Sequence, residues 1–381
     1  MRYWLKGGAG HALAALALMV LSGAATAAQD WPVNMREGAT QLSREIYGLH
    51  MYIFWVCVVI GVVVFTTMFV SMFLHRKSRG AQAANFHENI ALELAWTIVP
   101  FAILIAIAFP ATRTLKSIYN TEDSELDILV TGLQWKWKYE YLNDDGENVV
   151  FFSNIATPQS QIRNLEQKGE NYLLEVDEPI LIPIGKKVRF LVTAADVIHS
   201  WWVPELGVKR DAIPGYIHEA WTRVEEPGLF RGQCTELCGK EHAFMPIVVE
   251  AVEQAEFDSW LGEKIVAAEA VAEAAKQTLT FDELYDAGQA TYTQYCAGCH
   301  QADGKGIAGN FPAIAGSAIA MGPVEGHLNR VVNGGVGMPP FGEQLTPVEL
   351  AAVITFQRNA FGNNMGDQIQ PVDAVNYKQN Q

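Results

Sequence analysis

The chain has 381 residues, half of them hydrophobic, and a formal net charge of −15. That length exceeds one ordinary domain and argues for two or three modules. The acidic balance disfavours nucleic acid as a partner and favours basic ones.

The N-terminus reads as a secretory leader. Arg2 and Lys6 supply positive charge, residues 13–21 an apolar core, and Ala25-Thr26-Ala27 an A-x-A cleavage pattern. The run is short for a membrane anchor, so residues 1–28 are expected to be removed and the mature chain to start near Ala28 or Gln29. Two longer apolar runs follow, residues 50–74 and 90–110, each able to cross ~30 Å of hydrocarbon at ~1.5 Å per residue. Arg76, Lys77 and Arg79 lie between them, and positive charge in a short loop marks the cytoplasmic side. Everything beyond about Arg113 is then expected outside. Glu93 falls within the second run. By itself it reads equally as a functional acid or as an interfacial side chain that snorkels.

Residues 125–253 carry a β pattern. Leu126, Ile128 and Val130 alternate with polar residues, as do Trp135, Trp137, Tyr139 and Tyr141. NDDGEN is a turn, and VVFF, YLLEV, ILIPI, VRFLVTA and PIVVEAV are strand-like. Short strands at this spacing imply a Greek-key sandwich or barrel. Residues 254–277 are rich in Ala and Glu, with little apolar face, and read as a helical linker. No heptad is sustained there, which weakens a coiled-coil reading.

The five cysteines are Cys57, Cys234, Cys238, Cys296 and Cys299. An odd count with two close pairs suits cofactor attachment better than a disulfide framework. Cys296-Ala-Gly-Cys299-His300 is the C-x-x-C-H pattern of covalent heme c attachment, with His300 as proximal ligand. Zinc would need two more soft ligands nearby, and a redox C-x-x-C would need a βαβ context. Met338, in the Gly- and Pro-rich NGGVGMPPF loop, is the favoured distal ligand. Its rivals are Met321, read as loop packing, and His327, read as a surface histidine. FDELYDAGQATYTQY and TPVELAAVITFQRNAFG are amphipathic and are expected to be the first and last helices. Residues 280–360 resemble the class I cytochrome c fold.

Cys234 and Cys238 could form a small-loop disulfide in an oxidising compartment. That would leave Glu236, His242, Met245 and the upstream His199, which follows a strand and begins a loop, unexplained. Two thiolates, two imidazoles and a thioether form a soft site suited to copper. A blue-copper centre needs one cysteine, whereas two in C-x-x-x-C can bridge two copper ions. Zinc would leave the methionine unused.

Two spans, QWKWKYEY, DVIHSWWVPELGVKRDAIPG and CTELCGKEHAFMP together resemble subunit II of heme–copper cytochrome c oxidase, over residues 40–252. The module that follows resembles the variety with a fused cytochrome c. This resemblance implies a multidomain membrane protein. It would comprise a leader (1–28), an N-terminal segment with a two-helix transmembrane hairpin (29–112), a cupredoxin-like Greek-key β-barrel (113–253), a linker (254–279), an all-α class I cytochrome c domain (280–362) and a tail (363–381). It implies His199, Cys234, Cys238, His242 and Met245 as side-chain ligands of the binuclear CuA centre, with the Glu236 carbonyl. The Glu236 carboxylate would face a magnesium site shared with subunit I. Trp135 matches the tryptophan through which electrons enter, while Trp137 also reads as strand packing. Glu93, before Trp96 in ELAWT, matches the acid at the mouth of a proton pathway, which resolves its two readings. Asp211 resembles a residue contacting subunit I, and His218, with no family role, is read as structural.

The implied activity is that of the electron-transfer subunit of cytochrome c oxidase. Electrons would be accepted through heme c and CuA and passed to the heme a and heme–copper site of subunit I, for oxygen reduction coupled to proton pumping. Implied partners are subunits I and III, membrane lipid, and a cytochrome c or cytochrome bc complex as donor. The implied location is a bacterial inner membrane, with both soluble modules on the periplasmic face. A quinol oxidase subunit would lack Cys234 and Cys238. A nitric oxide reductase subunit bearing CuA is separated less sharply. A stand-alone tethered electron carrier or copper-delivery protein would not need Glu93 within a span.

Overall fold

The computed structural model describes residues 34–82, 85, 87–142, 149–335 and 337–379. The leader and the NDDGEN turn lie outside the described residues. The chain divides into two units, one of residues up to 132, 155–238 and 242–252, the other of residues 133–154, 239–241 and 253–381.

The first unit opens with helices α1 (Gln41–Leu74) and α2 (Ile90–Ile118). Their apolar windows are unburied within the chain, and both are long enough to cross a bilayer. Thr40 caps α1 with a reciprocal box, its side chain accepting from Ser43 N while the Ser43 hydroxyl accepts from Thr40 N. The helix starts well before residue 50, because QLSREIYG propagates the capped turn. Helix α2 likewise runs past residue 110, with Pro100 and Pro110 inside it. Membrane helices tolerate proline where neighbouring groups satisfy the freed carbonyls.

A β-sandwich follows. Strand β1 (Leu126–Leu133) runs parallel to β5 (Val188–Ala194), which pairs antiparallel with β8 (His218–Thr222). The facing sheet has the order β4-β10-β9-β6-β7, from β4 (Ile180–Pro183), β6 (His199–Val203), β7 (Val208–Ala212), β9 (Gly228–Cys234) and β10 (Pro246–Val252). Alternation along β5 buries Val188, Phe190 and Val192, and Phe190 meets Trp201 of the opposite sheet at a ring separation of 4.7 Å. Helix α3 (Gln159–Ile162) is a single turn. The YLLEV segment is not a strand; Val176 alone makes an isolated bridge, to Ile155.

The sandwich is fastened to the ends of both long helices. Trp221 Nε1 donates to the Ser117 carbonyl at 2.9 Å, Thr40 Oγ1 to the Leu206 carbonyl at 3.2 Å, and Arg44 pairs with Glu225 at 2.6 Å.

The second unit holds the hairpin of β2 (Lys136–Leu142) and β3 (Val149–Ser153), then α4 (Gln254–Ala274), α5 (Phe281–Tyr295), α6 (Ala297–His300), α7 (Val324–Asn333), α8 (Pro347–Asn359) and α9 (Pro371–Gln379). The linker helix α4 has more apolar face than its composition promised. Phe257 and Trp260 pack on Tyr141 of the hairpin at 6.1 and 5.1 Å, and Trp260 meets Phe151 edge-on.

Helices α5 and α8 cross closely at Gly288, where a Cβ would stand 2.1 Å from the Ala352 carbonyl oxygen. Helix α8 is not amphipathic in place; every residue from Leu350 to Arg358 is buried. The reason is that α9 covers its outer side, with Ile369 and Ala374 in the same core. The C-terminal segment thus carries a helix packed on α8.

Candidate functional site

The order β10-β9-β6 brings one end of each of these strands together. His199 opens β6, so it lies in a strand rather than beginning a loop; its backbone pairs with Ala212 of β7. Cys234 ends β9 opposite Trp201, and Met245 immediately precedes β10. Backbone bonds from Cys234 N to Met245 O and from Thr235 N to Ser200 O close the intervening loop onto the sheet.

The donor atoms converge. The Cys234 and Cys238 sulfurs lie 3.8 Å apart, and neither thiol is in a disulfide. His199 Nδ1 is 4.0 Å from Cys234 Sγ, His242 Nδ1 3.5 Å from Cys238 Sγ, and Met245 Sδ 3.5 Å from Cys238 Sγ. The Glu236 carbonyl oxygen is 3.3 Å from Cys234 Sγ. His199, Cys234, Cys238 and Met245 are fully buried, and His242 is half-buried. A disulfide needs sulfurs ~2.05 Å apart; this spacing suits two thiolates flanking a metal pair. The flanking imidazoles, thioether and carbonyl are the soft-plus-neutral donors that copper takes.

Two residues that sequence reading passed over shape this site. Asp196 Oδ1 binds His199 Nε2 at 2.9 Å, which turns Nδ1 toward the sulfur. Gly132 gives the ring room, since a Cβ there would stand 2.8 Å from His199 Cδ2. Asp196 is signalled only by standing three residues before a ligand, and Gly132 by nothing local. Burial would raise the Cys234 thiol, but hydrogen bonds centred on His199 outweigh it and lower the pKa. Burial, with repulsion from Cys234, holds Cys238 well above the usual thiol range.

Below the strand ends lies a cleft of about 510 Å³, lined among others by Asp211, His218, Glu219 and Glu236. Asp211 accepts from Ser200 Oγ at 2.8 Å through its carboxylate, and its carbonyl lies 2.8 Å from His218 Nδ1. His218, read from the sequence as structural, thus lies on the same cleft as Asp211 and Glu236. Glu93 is elsewhere, in the first turn of α2. Trp135 sits in the two-residue turn before β2, and a Cβ on Gly239 (φ +120°) would stand 3.1 Å from its ring.

In the second unit, Cys296 caps α6, while Cys299 and His300 lie in its single turn. Cys296 is buried and Cys299 exposed, both free thiols. His300 Nδ1 lies 2.8 Å from the Pro312 carbonyl. That bond makes Nδ1 the N–H nitrogen and leaves Nε2 as the lone-pair donor an iron needs. Met338 packs on the core containing Cys296. Its loop is tight: Gly334 has φ +71°, and a Cβ there would stand 2.4 Å from the Met338 carbonyl oxygen. The donor set and the held tautomer fit a covalently attached heme. Met321 is exposed. His327 is no surface residue; it is 3% exposed, bonded through Nε2 to Gln357 Oε1 at 2.7 Å, with Nδ1 unpartnered. The amphipathic face of α7 turns it inward. Gln357 in turn reaches Cys296 Sγ at 3.7 Å.

Residues 126–252 match the family model for the periplasmic domain of cytochrome c oxidase subunit II. Residues 28–114 match that of the subunit II transmembrane domain, and residues 283–356 that of cbb3-type cytochrome c oxidase subunit III. The cytochrome c oxidase subunit 2 of Cyanidium caldarium is 39% identical over 243 residues, 63% of this chain and 93% of the relative. The probable subunit 2 of Rickettsia felis is 39% identical over 61% of this chain and 72% of its own length. The crystal structure of the periplasmic domain of subunit II of cytochrome oxidase from Bradyrhizobium japonicum is 42% identical, with a TM-score of 0.33. The match covers 38% of this chain and 96% of that one.

Proposed function

The chain belongs to the cytochrome c oxidase subunit II family, and on that premise we propose that it carries single electrons from an outside donor to subunit I of an oxygen-reducing, proton-pumping oxidase. His199, Cys234, Cys238, His242, Met245 and the Glu236 carbonyl would hold a copper pair. Cys296 and Cys299 would hold heme c, with His300 and Met338 as the side chains that would ligate its iron. When bound, the copper pair and the heme would each supply a one-electron couple.

The residues themselves do the positioning. The buried thiols and Met245 exclude water, and Asp196 fixes the His199 ring at one tautomer. Pro312 does the same for His300. Trp135, in the turn before β2, is the residue by which electrons reach the copper module. The Glu236 carboxylate would help hold a magnesium ion at the subunit I interface, and Asp211 would contact that subunit. Glu93, at the inner end of α2, marks the mouth of a proton pathway. Subunit III and membrane lipid complete the assembly. The setting is a bacterial inner membrane with both soluble modules on the periplasmic side, and a cytochrome c or a cytochrome bc complex is the donor.

The observation that carries this reading is the convergence of five donor side chains around two sulfurs 3.8 Å apart. The test is metal content and paramagnetic resonance of the purified full chain. Two copper ions per β-sandwich with a mixed-valence signal are expected. Cys238→Ser should remove that signal and leave heme c attached. One copper per chain, or zinc and a silent spectrum, refutes the reading.

A further inference from the structure

Strand β2 carries lysines where a free strand would face water. Trp137, Tyr139 and Tyr141 fill its inner face and are wholly buried. Lys136 and Lys138 point the other way, yet Lys136 is 9% exposed and the Lys138 side chain 14%. Part of their cover comes from the cytochrome module of the same unit. Lys138 Nζ pairs with Glu343 Oε2 at 2.6 Å, and Lys136 Nζ donates to Gln344 Oε1. The Lys136 ammonium also stands 4.7 Å over the Phe152 ring. Glu140 lies 3.9 Å from Lys138, and Lys378 of α9 feels the Glu343 charge.

Glu343 and Gln344 belong to the loop that follows Met338. Lys136 adjoins Trp135. The contact therefore links the segment bearing the heme's distal ligand to the strand that begins beside Trp135. A half-buried cation–carboxylate pair of this kind sets register and partner choice more than raw affinity.

We propose that Lys136 and Lys138 form a docking surface for the chain's own cytochrome module, engaged through Glu343 and Gln344. The statement that this loop carries a heme ligand rests on the function proposed above; the docking does not. Burial lowers the Lys136 pKa to about 8, because an ammonium withdrawn from water loses hydration.

Zero-length carbodiimide coupling of the purified full chain tests the surface. The reagent activates a carboxylate, a neighbouring amine displaces the urea, and an amide forms. Mass spectrometry should find the Lys138–Glu343 amide at a yield comparable to the Lys276–Glu273 pair of the linker region, an internal control at 2.7 Å. The 138–343 amide should vanish in E343K and in K138E and return in the double variant K138E/E343K. Position 343 admits the exchange, since Glu343 is 68% exposed. If the control amide forms and the 138–343 amide does not, the docking surface is wrong. If the amide pattern holds while no heme is attached at Cys296 and Cys299, the functional reading falls and the docking surface stands.

Discussion

Asp196 does its work through another residue. With its oxygen 2.9 Å from His199 Nε2, it fixes both the tautomer and the tilt of a fully buried ring. Asp196→Ala should leave the fold intact and weaken copper retention roughly 10–100-fold, the usual range for losing such a supporting bond. Competition with a chelator of known affinity measures this, and unchanged retention would remove Asp196 from the site. His327 poses a different problem, because burial depresses its pKa to about 4. A histidine neutral in the folded state and protonatable near 6.5 when unfolded takes up protons on unfolding. Its neutral burial therefore costs nothing above about pH 6.5, and stability is lost as pH falls from there toward 4. The loss is about 3 kcal/mol at the low end. Thermal unfolding followed at the heme absorbance should show this slope, and His327→Leu should flatten it.

Gly288 is the point at which two helices become a fold. A side chain there would meet the Ala352 carbonyl and the Phe356 Cβ, at 2.1 and 2.6 Å. Gly288→Val should force α5 and α8 apart and cost about 1–3 kcal/mol, as overpacking typically does. A chevron or melting curve of the heme-loaded chain reads the loss; a variant as stable as the parent would mean the crossing is looser than it looks. The sequence patterns foretold these two helices and both membrane spans, because amphipathic runs and long apolar runs are local signals; the structure adds capping boxes at Thr280 and Thr346. Strands β6 to β9 left no such trace. HSWWV places two tryptophans side by side, while VKRDA and HEAWT mix charges into partly exposed strands, so period-two alternation is lost. YLLEV erred the other way, apolar yet held by a single bridge, from Val176 to Ile155. The cysteines, His242 and Met245 were legible because their spacing is chemical. Asp196, Gly132 and the Pro312 carbonyl were not, since a supporting bond or a missing Cβ has no spacing rule.

Taken as a whole, the molecule carries fifteen more negative than positive formal charges. A basic external donor should therefore bind faster at low salt, and its second-order rate should fall several-fold as the Debye length shrinks to ~8 Å near physiological ionic strength. Electron transfer within the chain should change far less. Stopped-flow mixing and flash reduction at several salt concentrations compare the two, and equal salt dependence would argue against an internal donor. The first unit adds a geometric constraint. Its sandwich is bolted to the helix ends at three separate places, through Trp221 and Ser117, Thr40 and Leu206, and Arg44 and Glu225. Three such bolts remove the swivel that a single linker would allow. The His199 end of the sheet thus keeps its place relative to the helix ends, like an instrument on a tripod, and whatever tilts the helices tilts the sandwich with them.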